Sequence, residues 1–254
     1  MELYNEIIGS GKDIVFLHGL FGDGRNLMNI ARSLSGDFRC ILVDHRNHGN
    51  SPHAKQFSYK IMADDLKDTL DKLGVNDPVI IGHSMGGKTA MEYALSNQER
   101  VRALVCMDQA AGSYRPRYSG FVETMKAFRT DVVTSRSEAE RFFTDHGVDE
   151  REARFLLKNL VKGKKGYNWR INLDSIIENY HHIWEGVGGG ESWKGPVLVL
   201  KGELSDFIRR EDEEYFRTLF PSVQIKTVPN AGHWLHVDNP AECIAGIRNF
   251  LSTI

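Results

Sequence analysis

Ser84 stands in Gly82-His83-Ser84-Met85-Gly86, a G-x-S-x-G pattern. A serine hydroxyl is a weak nucleophile until a base lies beside it, so its neighbourhood decides what the pattern can do. Pro78-Val79-Ile80-Ile81 is short and β-branched and reads as a buried strand, and Gly87 to Leu95 reads as a helix. A turn this sharp between strand and helix strains the serine backbone. It also leaves no room for a Cβ two residues to either side, which accounts for the flanking glycines. The hydroxyl is then held on a point beside the first N–H groups of a helix, which suit a forming anion. The same stretch satisfies a second pattern. Gly82 to Thr89 matches the phosphate-cradling P-loop G-x-x-x-x-G-K-S/T, and Leu104-Val105-Cys106-Met107-Asp108 could serve as its strand ending in a magnesium-binding Asp.

The rest of the chain favours the nucleophile. The P-loop reading uses Gly82, Lys88 and Thr89 but gives no role to His18-Gly19 or to His233. On an elbow of this kind the triad follows in the order serine, acid, histidine. His233 fits: it follows Asn230-Ala231-Gly232 after the last strand and precedes the last helix. His83 is a weaker choice, on the far side of the elbow, and His236 reads as structural. Two carboxylates could orient the base. Asp108 ends the strand after the elbow strand, and Asp206 lies in the loop Gly202-Glu203-Leu204-Ser205-Asp206 after the following strand. Ser205 could also bond the imidazole, and Asp174 is a more distant candidate. An oxyanion needs backbone donors. Met85 supplies one, and the loop His18-Gly19-Leu20-Phe21-Gly22 the other, through Leu20 or alternatively Phe21. His45-x-x-His48 reads as a polar loop around Arg46 rather than a metal site, and no H-E-x-x-H occurs.

These groups need a scaffold that carries several strand ends to one edge. Strand patterns recur at Leu3 to Ile8, Ile14 to Leu17, Cys40 to Val43, Ala103 to Met107, Val197 to Leu200 and Val223 to Thr227. Helical spacing lies between them, as in Leu27, Ile30, Ala31 and Leu34. Ser58 can cap a helix carrying Ile61, Leu66, Leu70 and Leu73 that Gly74 closes, and Asn239 can cap the last one, with Pro240 first and Glu242 third. This alternation predicts an α/β fold with a mostly parallel sheet covered on both faces. Residues 1–111 and 194–254 form its core. Residues 112–193 lose the strand pattern, become charged and helical (Phe121 to Phe128, Glu138 to Phe143, Glu152 to Val161), and are expected to cap the carboxyl ends of the strands. Phe121, Met125, Phe128, Trp169 and Trp184 are candidates there for an apolar acyl pocket.

With 41% hydrophobic and 26% charged residues among 254, the chain is ordinary for a globular protein, and a net charge of −2 argues against nucleic acid or an anionic membrane as partner. Cys40, Cys106 and Cys243 have no paired spacing and suit buried thiols in a reducing, cytoplasmic setting. No leader pattern or membrane-length apolar run is visible.

Five segments together, His18 to Gly22, Asp44-His45-Arg46-Asn47-His48-Gly49-Asn50-Ser51, Gly82 to Lys88, Trp169-Arg170 and Asn230 to Trp234, resemble the α/β-hydrolase family. The resemblance spans nearly the whole chain and is greatest to YbfF-type bacterial esterases with mitochondrial and yeast relatives. It implies cofactor-free, metal-free hydrolysis of a small acyl ester or acyl thioester such as an acyl-CoA, through Ser84, Asp108 and His233 and an acyl-enzyme. It favours Asp108 over Asp206, although Met107-Asp108-Gln109-Ala110 departs from the family's Asp-Ile-x-Pro. Acyl transfer to an alcohol and C–C hydrolysis are alternatives on the same scaffold.

Overall fold

A computed structural model describes residues 1–114, 119–164 and 166–254. The first half runs β1 (Asn5–Ile8), β2 (Lys12–Leu17), α1 (Met28–Leu34), β3 (Phe38–Val43), α2 (Tyr59–Leu73), β4 (Val79–His83), α3 (Met85–Ser96) and β5 (Ala103–Met107). The intervening segment carries α4 (Ser119–Ala127), α5 (Arg136–Asp145), α6 (Glu150–Leu156), the short strands β6 (Leu160–Lys162) and β7 (Tyr167–Trp169), and α7 (Leu173–Glu178). The chain then returns through β8 (Val197–Gly202), α8 (Arg210–Leu219), β9 (Val223–Val228), α9 (Leu235–Asp238) and α10 (Pro240–Leu251).

Seven strands form one sheet in the order β1-β3-β2-β4-β5-β8-β9. Only β1 runs antiparallel to its neighbour, pairing Asn5 with Val43; the other pairings are parallel. Parallel strands buried on both faces send alternate residues to two cores. Val15, Leu17, Ile41, Ile80 and Leu104 pack on one side in a core shared with α2 and α3. Ile14, Phe16, Leu42, Ile81 and Val105 face the other, against α1 and α10. Helix ends follow the expected chemistry: Ser58 accepts the Ile61 N–H, Gly74 is left-handed at φ 67°, and Asn239 accepts the Glu242 N–H.

The intervening segment departs from its reading in two places. The helix expected through Val161 stops at Leu156, and the chain passes through a single 3₁₀ turn into β6, which pairs antiparallel with β7. Its aromatic residues also pack inward. Met125 and Phe128 are buried in a core continuous with that of the sheet, Phe128 lies against Trp169, and Trp184 lies against Tyr180. Of the five residues suggested for an acyl pocket, only Phe121 lines the main cavity. At its stem, Tyr114 N–H bonds Trp184 O and Val187 N–H bonds Ala111 O, so the outgoing and returning chains lie side by side. Residues 187–193 then rest on the sheet domain, where Trp193 bonds Leu219 and Gln98.

Candidate active site

The elbow is drawn as tightly as its sequence demands. Ser84 has φ 52° and ψ −121°, a region that a residue with a side chain seldom adopts and that costs about 1–3 kcal/mol. A Cβ on Gly82 would lie 2.2 Å from Gly86 O, and one on Gly86 would lie 2.2 Å from Leu17 O. Ser84 N–H bonds Met107 O at 3.1 Å, tying the elbow to β5. In this state Ser84 Oγ donates a long bond to Gln109 Oε1, 3.4 Å away.

His233 enters from the loop after β9. Its Nδ1 lies 2.8 Å from Asp108 Oδ2, and Asp108 is fully buried. The same carboxylate accepts Gly202 N–H at 2.9 Å on its other oxygen and the Ser205 hydroxyl on Oδ2. A carboxylate so held fixes the Nδ1–H tautomer and leaves Nε2 as the basic nitrogen. The carboxylate bonded to His233 is thus Asp108. Asp206 is exposed, one residue beyond the side chain that turns inward, and Asp174 is exposed at the start of α7. Ser205 reaches the carboxylate rather than the imidazole. Phe207 stacks on His233 with ring centroids 3.6 Å apart and planes 12° apart, a contact the sequence did not announce.

The other histidines are scaffolding. His83 Nε2 donates to His233 O at 2.9 Å, so it supports the base's backbone. His236 packs edge-on against His83, and burial pulls it down to about 4. His18 Nε2 accepts His45 N–H while its Nδ1–H donates to Gly19 O at 2.8 Å. His48 Nε2 accepts Phe21 N–H at 3.1 Å and Nδ1–H donates to Arg46 O at 2.9 Å; burial depresses His48 to about 3. Arg46 itself grips Asp65 with two nitrogens, which fits the polar loop read from the sequence.

That arrangement separates the two amides considered for the oxyanion. The Phe21 N–H is already taken by His48, whereas among the described residues no acceptor takes the Leu20 N–H. Met85 opens α3, so its N–H has no acceptor within the helix. Ser84, His233, Leu20 and Phe21 all line one cavity of about 540 Å³. Phe121, Phe155, Leu156 and Trp234 give it apolar walls, and charged residues of α6 stand at its rim.

Lys88 has no place in a phosphate cradle. It is fully buried, and its Nζ donates to the carbonyls of Gly112 and Glu185 beneath the Tyr114 ring. Desolvation draws its pKa down to about 7. Thr89 Oγ1 bonds Met85 O in its own helix. The P-loop pattern is therefore filled by a helix that points its lysine at the stem of the inserted segment. Cys40, Cys106 and Cys243 are buried free thiols, and burial raises each of them, to about 11, 12 and 12.

Comparison with known proteins gives the family. The family model described as "alpha/beta hydrolase fold" matches residues 13–240. The sn-1-specific diacylglycerol lipase ABHD11 of Mus musculus is 38% identical over 248 residues, covering 94% of this chain and 80% of that protein. Esterase YbfF of Escherichia coli K12 is 34% identical over 242 residues, covering 94% and 92%. A solved structure described as a marine microorganism esterase superposes with a TM-score of 0.95 at 36% identity, covering 98% of this chain and 99% of that one. The chain belongs to the α/β hydrolase fold family, as a member of esterase and lipase type.

Proposed function

We propose that this chain is a cofactor-free serine hydrolase of carboxylic esters, working through Ser84, His233 and Asp108. The observation that carries the reading is the 2.8 Å bond from His233 Nδ1 to a fully buried Asp108, in the same cavity as a serine held at positive φ. For attack the Ser84 hydroxyl turns from Gln109 towards Nε2 of His233, which lines the same cavity. That nitrogen accepts the proton as Oγ attacks the acyl carbonyl, and Asp108 stabilises the imidazolium that results. The tetrahedral oxyanion is received by the Leu20 and Met85 N–H groups, with the helix terminus behind Met85 adding to the field. His233 protonates the departing alcohol, then activates the water that releases the acid from Ser84.

The cavity argues for a small or medium acyl group. Its volume is that of a ligand pocket, and its apolar walls meet the nucleophile directly. Acyl thioesters use the same steps, so acyl-CoAs belong in the substrate screen. The test is hydrolysis of a p-nitrophenyl ester series and of acyl-CoAs, beside labelling by a fluorophosphonate. The expected result is ester turnover that Ser84→Ala lowers by at least about 10³-fold, with the label found on Ser84. Unchanged turnover in Ser84→Ala, or a label elsewhere, would overturn the reading.

A further inference from the structure

The turn that carries the Leu20 N–H is held from two directions at one residue. Gly22 N–H closes it onto Gly19 O at 3.0 Å, and Phe21 sits at φ 61°, a left-handed conformation that a bulky residue resists. From the core side, His48 Nε2 accepts the Phe21 N–H at 3.1 Å. From the cap side, Asn159 Nδ2 donates to the Phe21 carbonyl at 2.7 Å. Both side chains are buried, and neither touches the nucleophile or the base through any bond described above.

Asn159 is itself anchored. It closes the 3₁₀ turn that follows α6, and its carbonyl accepts Arg170 N–H at 2.8 Å. The Arg170 guanidinium then reaches Asp23 at 2.6 Å, two residues beyond Phe21. The cap therefore meets the oxyanion turn at two successive points. One peptide earlier, Gly19 O is fixed by His18 and by Gly22 N–H, on the side of the peptide opposite the Leu20 N–H. With both ends of Phe21 pinned and the Gly19 carbonyl fixed, the Leu20 amide has little freedom of its own.

We propose that His48 and Asn159 are positioning residues that hold Phe21 in its left-handed turn and so aim the Leu20 N–H at the oxyanion, which makes the hole complete only while the cap is seated on the core. This rests on the reading of Ser84 as nucleophile. Asn159 must donate, so a carboxylate of equal size in its place would face the Phe21 carbonyl with like charge. His48 must accept, so a ring without nitrogen fills the space but releases the Phe21 N–H, giving the turn freedom to flip.

The test uses the full chain with Asn159→Asp and His48→Phe. Three quantities are read: kcat and KM on a p-nitrophenyl ester, the affinity of a trifluoromethyl ketone of the same acyl length, and that of the matching methyl ketone. The trifluoromethyl ketone places an oxyanion in the hole; the methyl ketone reports only the pocket. Each variant is expected to lose about 10- to 100-fold in kcat, with KM within about threefold of wild type. The ratio of the two ketone affinities should fall by the same factor, and being a ratio it does not depend on the folded fraction. His48→Gln, which keeps an acceptor, should recover most of the loss. Unchanged kcat and ketone ratio in both variants overturn the clamp, as does a loss of rate with the ratio intact. Ser84→Ala run alongside separates the two levels: its inactivity with unaffected clamp variants sinks the clamp alone, whereas its full activity sinks the nucleophile reading and the clamp together.

Discussion

Two clusters of three histidines flank Ser84, and they are used in opposite ways. His18, His45 and His48 lie behind the oxyanion turn, with His18 4.8 Å from His45 and 5.3 Å from His48, ring centre to ring centre. His83, His233 and His236 lie behind the elbow, with His83 4.8 Å from His233 and 4.6 Å from His236. Ring spacing is alike, yet one ring of the six is bonded to a carboxylate. Burial and neighbouring imidazoles depress His45, His48, His83 and His236, and burial depresses His18. Those five are held towards the neutral form, and each serves as backbone support or packing. What sets His233 apart is a buried Asp bonded to one ring nitrogen together with a place on the cavity wall, the arrangement that the proposed base requires.

The comparison can be broken most severely at the carboxylate. Asp108→Asn keeps the shape of the contact but can hold His233 in the wrong tautomer. It should lower kcat by about 10³–10⁴-fold at neutral pH with near-native stability, as steady-state ester kinetics and a melting curve would read. If the loss stays below about tenfold, the distinction drawn between the two clusters is wrong. A smaller effect is expected at His83→Gln. It keeps a donor for the His233 carbonyl, so turnover should fall by about tenfold or less, measured on the same ester.

The smallest effect separates the clusters by stability rather than rate. Histidines kept neutral in the fold have folded-state pKa values below the unfolded value of about 6.5. Their contribution is therefore complete above about pH 6.5. It is lost as the pH falls from there towards the folded values, about 3 for His48 and about 4 for His236. The unfolded chain binds protons in that window that the folded chain refuses, each costing up to about 1.4 kcal/mol per pH unit. Urea midpoints measured at pH 7 and pH 5 should show this slope, and His48→Asn should flatten it by about one proton's worth. An unchanged slope would mean that His48 is protonated in the fold.

Much of this site could be read before the fold was seen, because local geometry demanded particular residues. Gly82 and Gly86 announce an elbow that no larger residue could make, and Asn230-Ala231-Gly232-His233 announces a base placed on a loop. The residues alone left Asp108 and Asp206 both open, and only the family resemblance favoured Asp108. The choice turns on which side chain of a tight loop faces inward, and here Ser205 does so while Asp206 stays outside. Asn159 gave no signal at all, since its partner lies 138 residues away and its role exists only once the segment after α6 folds down on Phe21. Of the residues suggested for the cavity wall only Phe121 lies there, for a related reason: aromatic residues of an insert must first build that insert's own interior. Phe155 and Trp234, tilted against each other at 5.3 Å, took the place at the cavity wall.

Lys88 ties the insert down at its root. It grows from the helix that begins beside Ser84, and its amine joins the Gly112 carbonyl, where the chain leaves the core, to the Glu185 carbonyl, where it comes back. Hinging at that base would have to tear both contacts and drag on the nucleophile's helix. The far margin carries no such anchor: there α6 lines the cavity, and Arg151 lies across the Trp234 ring at 4.7 Å.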